Sequence, residues 1–375
     1  MKKYMPISNG VNIAINGFGR IGRAAFKALL NKKGINVAAI NDLTDTKTLA
    51  HLLQHDSCYG TYEKKVAAEA DNLMVGGKKY RVLKEKEPAR LPWGKLKVDI
   101  VLECTGRFLD ALGAGQHLEA GATKVILSAP ASASADAKAL ADKKATAGKP
   151  AKEKTPSSSL LSGGEAIKTI VLSVNEKDLT KDDKIISMAS CTTNCLAPVT
   201  KIVRDNFGVK KAIMSTAHSY TAGQNLVDGP HKDLRRARAA GLNIVPTTTG
   251  AAKATAKTIP ELAGKFDGLA LRLPTPVVSL CDIVYLTEKS VTAEAVNQAI
   301  KKAAAGDYKG YVAVTEEPLV SSDFIGNANS AIVDLPLTKV IDGDLLKIIA
   351  WYDNEWGYSC RLADLCEYIG KKKLL

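Results

Sequence analysis

Apolar and polar positions at the start of the chain switch between two periods. Val11 to Asn16 alternates at strand spacing, and a glycine-rich turn follows. Apolar residues then recur at helical spacing from about Ile21 to Leu30, and Ile35 to Asn41 is a second strand-like run. Val98 to Cys104 and Lys124 to Ser128 are further short apolar runs, closed by Thr105-Gly106 and Ser128-Ala129-Pro130. This alternation predicts parallel strands joined by crossover helices. Lys184 to Ala189 reads as a buried strand, and Leu196, Val199, Ile202 and Val203 resume helical spacing. The later chain is richer in strands: Lys211 to His218, Leu269 to Leu273, Val277 to Leu286 and Ile348 to Tyr352. It also has a helix over Ala293 to Ala305 and a last helix from about Glu355 to Ile369, with Leu362, Leu365, Cys366 and Ile369 on one face.

One stretch breaks the pattern. From Ala131 to about Ala166 the chain is Ala, Lys, Ser and Gly with no aromatic residue. Ala131 to Ala147 suits a surface helix, while Gly148-Lys149-Pro150 and Pro156-Ser157-Ser158-Ser159 suit flexible chain. The rest has ordinary globular composition, 46% apolar and 24% charged over 375 residues, enough for two or three domains. No apolar run approaches the ~18 residues of a membrane span, and the start of the chain lacks a signal-peptide core, so a cytoplasmic location is expected with no membrane partner. The seven cysteines are scattered, which excludes a disulfide framework, and no zinc-like cluster surrounds them, so no metal is expected. The net charge of +13 is dispersed and aromatics make up only 5%, which suits anionic small ligands rather than a dedicated nucleic-acid partner.

Two places carry candidate chemistry. Gly17, Gly19 and Gly22 form G-x-G-x-x-G between a strand and a helix, and Asp42 ends the next strand 20 residues beyond Gly22. That context is the dinucleotide fingerprint: Gly17 for the turn, Gly19 for close approach of a pyrophosphate, Gly22 for helix–strand packing. Asp42 would accept from the ribose hydroxyls and repel a 2′-phosphate. The second place is Ser190-Cys191-Thr192-Thr193-Asn194-Cys195, between a strand and a helix. Small hydroxyl and amide residues suit a helix start, where free N–H groups and the helix dipole favour a thiolate at Cys191. A cysteine near a helix start is commonly packing alone. A histidine in reach changes that, and His218 ends a strand 27 residues on, the reach of a helix and a returning strand. His51 and His55, four apart, read as helix surface. For anions, Thr247-Thr248-Thr249-Gly250 precedes a helix at Ala251, with Arg235, Arg236, Arg238 and Arg272 as cationic candidates.

Ser-Cys-Thr-Thr-Asn-Cys-Leu-Ala-Pro (190–198) resembles the active-site signature of the phosphorylating glyceraldehyde-3-phosphate dehydrogenase family. The likeness extends in order through Asn-Gly-Phe-Gly-Arg-Ile-Gly-Arg (16–23), His218-Ser-Tyr-Thr221, Pro246-Thr-Thr-Thr-Gly250, Leu271-Arg-Leu-Pro-Thr-Pro276 and Trp351-Tyr-Asp-Asn-Glu-Trp-Gly357. The 131–166 stretch is then an insertion of about 30 residues. The resemblance implies an α/β fold: a Rossmann-type doubly wound NAD-binding domain (1–190), an α+β catalytic domain with a mixed or antiparallel sheet (191–354), and a C-terminal helix (355–375) returning to the first. It implies Cys191 as nucleophile and His218 as its base. Ser190, Thr192, Thr221, Arg236, Thr249, Gly250 and Arg272 would bind the substrate phosphate and inorganic phosphate. Arg20, Ile21, Asp42, Lys86, Thr105, Ser128 and Asn354 would join the glycines at NAD. Lys86 stands where many relatives have Arg, and Gly229-Pro230 where NAD-specific relatives have Leu-Pro; Asp42-Leu43 keeps NAD favoured over NADP. A homotetramer acting on glyceraldehyde 3-phosphate and inorganic phosphate follows. An erythrose-4-phosphate dehydrogenase, or a catalytically idle NAD- or RNA-binding member, are the alternatives, and phosphate-dependent turnover separates them from the main reading.

Overall fold

In the computed structural model, which describes residues 10–132 and 167–375, the apolar runs become two sheets, each with its own core. The segment 131–166 lies outside the described residues from position 133 on, and with it the helix and flexible stretches expected there.

Val11–Asn16 lies inside the first sheet with both faces covered, Ile13 and Ile15 packing with Phe26 on one side and Ala14 with Leu91 and Trp93 on the other, and all but Asn12 of its six residues are buried. On one side it pairs in parallel with Ile35–Asn41, on the other with Ile100–Glu103. Lys124–Leu127, Ile185–Ser187 and Lys168–Thr169 extend the sheet beyond Ile100–Glu103, all parallel. The strand order reverses direction at Val11–Asn16, and the crevice at such a reversal is where open parallel sheets bind ligands. The helix Arg20–Leu29 covers one face with Ala25, Phe26 and Leu29.

A meander of three antiparallel strands, Val66–Glu69, Asn72–Val75 and Lys78–Leu83, joins the far edge through Lys78–Leu83. The hydrophobic pattern did not mark it. Its first strand is exposed over three of four residues, and Ala and Glu there leave no apolar alternation to detect. Other boundaries moved by a few residues. The 98–104 run shortens to Ile100–Glu103, and His55 leaves the Thr46–Gln54 helix to begin a two-residue strand.

The second sheet is mixed. Lys211–Ser219 lies parallel to Phe266–Leu273 and antiparallel to Ser279–Leu286, which in turn pairs with Leu345–Tyr352. The register of the parallel pair sets His218 beside Arg272. Cys195, Leu196, Val199 and Val203, from the helix Cys191–Phe207, pack onto this sheet with Ile283, Tyr285 and Ile348.

The last helix, Trp356–Lys371, runs back to the first sheet. Leu362, Leu365, Cys366 and Ile369 are fully buried in the same core as Val11, Ile13 and Phe26. At Gly370 an added Cβ would come within 2.6 Å of the Val11 side chain, so the helix end needs glycine. Replacing Leu362 by Ala should therefore cost about 2–5 kcal/mol, the usual range for a buried leucine. Urea unfolding would measure it, and a loss below about 1 kcal/mol would contradict the described packing.

Candidate active site

Cys191 is the first residue of a 17-residue helix, and Ser190 is its N-cap, accepting from the Thr193 N–H at 3.1 Å. The residue before it, Ala189, is buried with φ of 54°, a left-handed conformation that a Cβ disfavours. This turn lifts the chain from the Ile185–Ser187 strand into the helix and leaves Cys191 partly exposed at the junction.

His218 reaches it from the end of the second sheet's central strand. Its Nε2 lies 3.5 Å from the Cys191 sulfur. Its Nδ1 faces two groups, the Ser219 carbonyl at 2.7 Å and Nη1 of Arg272 at 2.6 Å. The two make opposite demands: the carbonyl requires a proton on Nδ1, whereas the guanidinium can only donate to a bare nitrogen. Arg272 Nη1 also reaches the Ser219 carbonyl at 3.1 Å. Ser219 is itself pinned, its N–H donating to Ser279 Oγ and its hydroxyl to the carbonyl of Val278, another buried residue at positive φ.

Burial pushes the Cys191 thiol up to about 11, against the pull of the Arg272 charge and hydrogen bonds from Thr192. Burial, then Arg272, pushes His218 down to about 3. Desolvation of the sulfur thus works against the thiolate that the helix start favours. Burial opposes charge on both groups, and Nε2 is the nitrogen within reach of the thiol.

Arg236 lies close enough to oppose the charge of Arg272, whose pKa is lowered mainly by burial. It donates from Nε to Thr247 Oγ1 at 3.0 Å. Val245 pairs with Arg272 across the sheet edge, so the Thr247–Gly250 turn follows from the same register. Gly250 caps the Ala251–Thr258 helix, and Thr249 Oγ1 accepts from the Ala251 N–H at 3.2 Å. Thr221 is exposed on the loop beyond His218. Two expected phosphate ligands turn elsewhere. The Ser190 hydroxyl is used in the cap, and Thr192 is buried with its hydroxyl 2.9 Å from that of Tyr352. The resemblance implied both as ligands; in the structure Thr192 is buried and Ser190 stays partly exposed at the cap. Tyr352 also meets the Thr216 hydroxyl at 2.9 Å and stands edge-on to His218. Nothing in its apolar strand singled it out.

At the first sheet a cleft of about 320 Å³ opens at the carboxyl ends of the strands, lined by Gly17, Gly19, Asp42, Lys86, Thr105 and their neighbours. Gly17 has φ of 91°, and a Cβ on it would fall 2.8 Å from the Cys104–Thr105 backbone. A Cβ on Gly22 would sit 2.1 Å from the Gly17 carbonyl oxygen, whereas Gly19 faces open space. A tight turn, a close helix and an open approach are the three requirements of a pyrophosphate seat. Asp42 braces the turn, accepting from the Phe18 N–H at 2.7 Å and the Thr44 N–H at 2.9 Å. The residues present therefore fit a dinucleotide.

The remaining candidates surround this cleft unevenly. Arg20 begins the first helix, but its guanidinium is held by Glu355 at 2.5 and 2.6 Å and by Asp56 at 3.2 Å, so only its backbone faces the turn. Ile21 packs on the core, and Ser128 lies beside Cys104 at the neighbouring strand end. Asn354 is buried, with Oδ1 accepting from Ser279 Oγ at 3.0 Å, which ties it to the Ser219–His218 strand end.

The comparisons decide the family. Residues 11–111 match the model of the glyceraldehyde 3-phosphate dehydrogenase NAD binding domain, and residues 190–354 that of the glyceraldehyde 3-phosphate dehydrogenase C-terminal domain. The chain belongs to the glyceraldehyde 3-phosphate dehydrogenase family. Similar curated proteins include glyceraldehyde-3-phosphate dehydrogenase 1 of Bacillus subtilis, 50% identical over 97% of this chain and 99% of that protein. The Geobacillus stearothermophilus glyceraldehyde-3-phosphate dehydrogenase is 49% identical over 97% and 99%, and that of Zymomonas mobilis 44% identical over 96% and 99%. The chain is an NAD-dependent oxidoreductase of α/β fold, its Rossmann domain followed by a domain with a mixed sheet. Among the described residues no helix is long and apolar enough to cross a membrane.

With Nε2 of His218 at 3.5 Å from the sulfur, replacing His218 by Asn should lower the rate of Cys191 alkylation by iodoacetamide at neutral pH about tenfold or more. The variant's rate should then climb with pH toward the thiol's own value of about 11, because burial favours the protonated form. A variant whose pH–rate profile overlays the native one would contradict the pairing.

Proposed function

We propose that this protein is a phosphorylating glyceraldehyde-3-phosphate dehydrogenase: it oxidises D-glyceraldehyde 3-phosphate with NAD and inorganic phosphate to 1,3-bisphosphoglycerate through a thioester on Cys191. The observation that carries the reading is the 3.5 Å approach of Cys191 and His218 beside Arg272. Residues 1–190 hold the cofactor, 191–354 the substrate, and 355–375 return to the first unit; two separate cores on two sheets support this division.

Anion binding sets the pair in motion. A phosphate that draws the Arg272 guanidinium toward itself leaves Nδ1 to the Ser219 carbonyl. The ring proton then sits on Nδ1, and the Nε2 lone pair faces the sulfur. Nε2 takes the thiol proton, Sγ attacks the aldehyde carbon, and Nε2 returns that proton to the carbonyl oxygen, giving a hemithioacetal and a free Nε2. The Cys191 N–H, free at the first helical position, and the imidazole steady the oxygen. His218 removes the hydroxyl proton as the carbon is oxidised, leaving the thioester. NAD, when bound, supplies the hydride acceptor; Gly17, Gly19, Gly22, Asp42, Lys86 and Thr105 would hold it, with the backbone of Arg20 and Ile21, Ser128 nearby and Asn354 at the catalytic end. Inorganic phosphate, held by Arg272, Arg236, Thr221, Thr249 and Gly250, attacks the acyl carbon and releases the sulfur. The oxidation energy is thereby kept in an acyl phosphate.

A homotetramer in the cytoplasm belongs to this reading. Leu226, Val227, Leu234, Leu242 and Ile244 are all exposed on the loop after His218, an apolar group that a subunit contact would cover.

Replacing Cys191 by Ser should abolish oxidation while NAD still binds; normal turnover would sink the scheme. Replacing Arg272 by Gln should raise the KM for inorganic phosphate about tenfold or more, as expected when a buried charge-assisted contact is removed. An unchanged phosphate KM would remove Arg272 from the anion site.

A further inference from the structure

Behind the cleft lies a buried polar chain that the reaction does not use. Trp93, Glu103 and His117 are each fully buried, and Asn16 and Asn41 nearly so. They come from a loop, three parallel strands and the Ala111–Glu119 helix. Their hydrogen bonds have only one consistent direction. An indole N–H can only donate, so Trp93 Nε1, at 3.0 Å, fixes His117 Nδ1 as an acceptor. His117 therefore carries its proton on Nε2 and donates to Glu103 Oε2 at 3.0 Å. Asn16 Nδ2 donates to the same oxygen at 2.6 Å, and Asn41 Nδ2 donates to Asn16 Oδ1 at 2.7 Å. Glu103 Oε1 receives the N–H of Thr105 at 2.7 Å and its hydroxyl. Four donors thus meet the four acceptor positions of one carboxylate.

The chain ends on the rim of the cleft. Asn41 exchanges hydrogen bonds with the backbone of Glu85 at 2.8 and 2.9 Å, next to Lys86. The Thr105 hydroxyl accepts from the Arg107 N–H at 3.1 Å, and Phe108 stands edge-on to His117. Asn16 precedes Gly17. Three separate rim segments, 16–19, 85–86 and 105–108, therefore hang on one buried carboxylate, and Asn16, Asn41, Glu85, Thr105, Arg107 and Phe108 all line the cleft.

We propose that the Trp93–His117–Glu103–Asn16–Asn41 relay is a positioning device for the dinucleotide, setting the spacing of the three rim segments and so the affinity of the cleft. It rests on the reading of that cleft as the NAD site. Glu103 and His117 are positioning residues: neither reaches the cofactor, and neither touches Cys191 or His218. A carboxamide at position 103 cannot satisfy the relay, because its NH₂ must face either the Asn16 and His117 donors or those of Thr105. His117→Gln retains a donor near Nε2, whereas His117→Phe retains none.

The test is NAD affinity, by fluorescence titration, set beside kcat at saturating NAD. Glu103→Gln and His117→Phe should raise the NAD Kd about tenfold or more, while kcat stays within about twofold. His117→Gln should recover most of the loss. Folded variants that bind NAD like the native chain would overturn the relay, as would an equal fall in kcat and affinity with no rescue by Gln. If the variants do not fold, ¹⁵N spectra of the native chain decide. His117 should show the Nε2–H tautomer, and that resonance should shift on adding NAD although the ring lies outside the cleft. The other tautomer, or a resonance indifferent to saturating NAD, overturns the proposal. A native chain that fails to bind NAD at all would instead overturn the reading of the cleft itself.

Discussion

A thiol at the start of a helix and an imidazole at the end of a strand meet at 3.5 Å, and the site depends on the levels at which those two elements end. A one-residue slip of Lys211–Ser219 against Phe266–Leu273 would turn His218 away from Cys191 and part it from Arg272, since alternate residues face opposite sides of a sheet. The sheet's pairings on both sides of that strand prevent the slip. The strained turn at Ala189 does the same for the cysteine, and packing of the Cys191–Phe207 helix on the second sheet holds both in place. Local strain beside the nucleophile is thus offset by a core some distance away.

The two clefts solve the problem of anionic ligands differently. At the first sheet, a tight glycine turn leaves an open approach at Gly19, and the Asp42 carboxylate braces that turn. At the second, Arg272 is part-buried beside His218, and Arg236, which lies near Asp233 Oδ2 at 3.5 Å, adds a second positive charge close by. Arg272 is also the group that meets Nδ1 of His218. On the proposed mechanism, substrate binding and base activation are linked through that one guanidinium.

Much of this was legible in the chain itself, where local rules operate. Strand before glycines and helix after them located the dinucleotide turn, and small polar residues before an apolar helix located Cys191. His218 was within reach by spacing alone. Arg236 and Arg272 could be named as candidates, but their convergence depends on strand register, which no local pattern encodes. Ser190 and Thr192 came from the family resemblance alone, and the local pattern did not foretell that one would cap the helix and the other meet Tyr352. The Arg20 guanidinium is similarly diverted, by Glu355 from the far end of the chain. The Trp93–His117–Glu103 relay left no trace, because each member looks like ordinary strand, loop or helix until the sheet brings them together. The three-stranded edge was missed for a plainer reason: its solvated residues carry no alternation.

The account's central claim is that Cys191 and His218, with Arg272 beside them, form an acyl thioester that inorganic phosphate resolves. The direct measurement is NADH formation from glyceraldehyde 3-phosphate and NAD, with and without inorganic phosphate. The expected result is turnover that depends strongly on phosphate and rises with it to saturation. Equal turnover in its absence would mean that water resolves the thioester, and would contradict the phosphorylating mechanism.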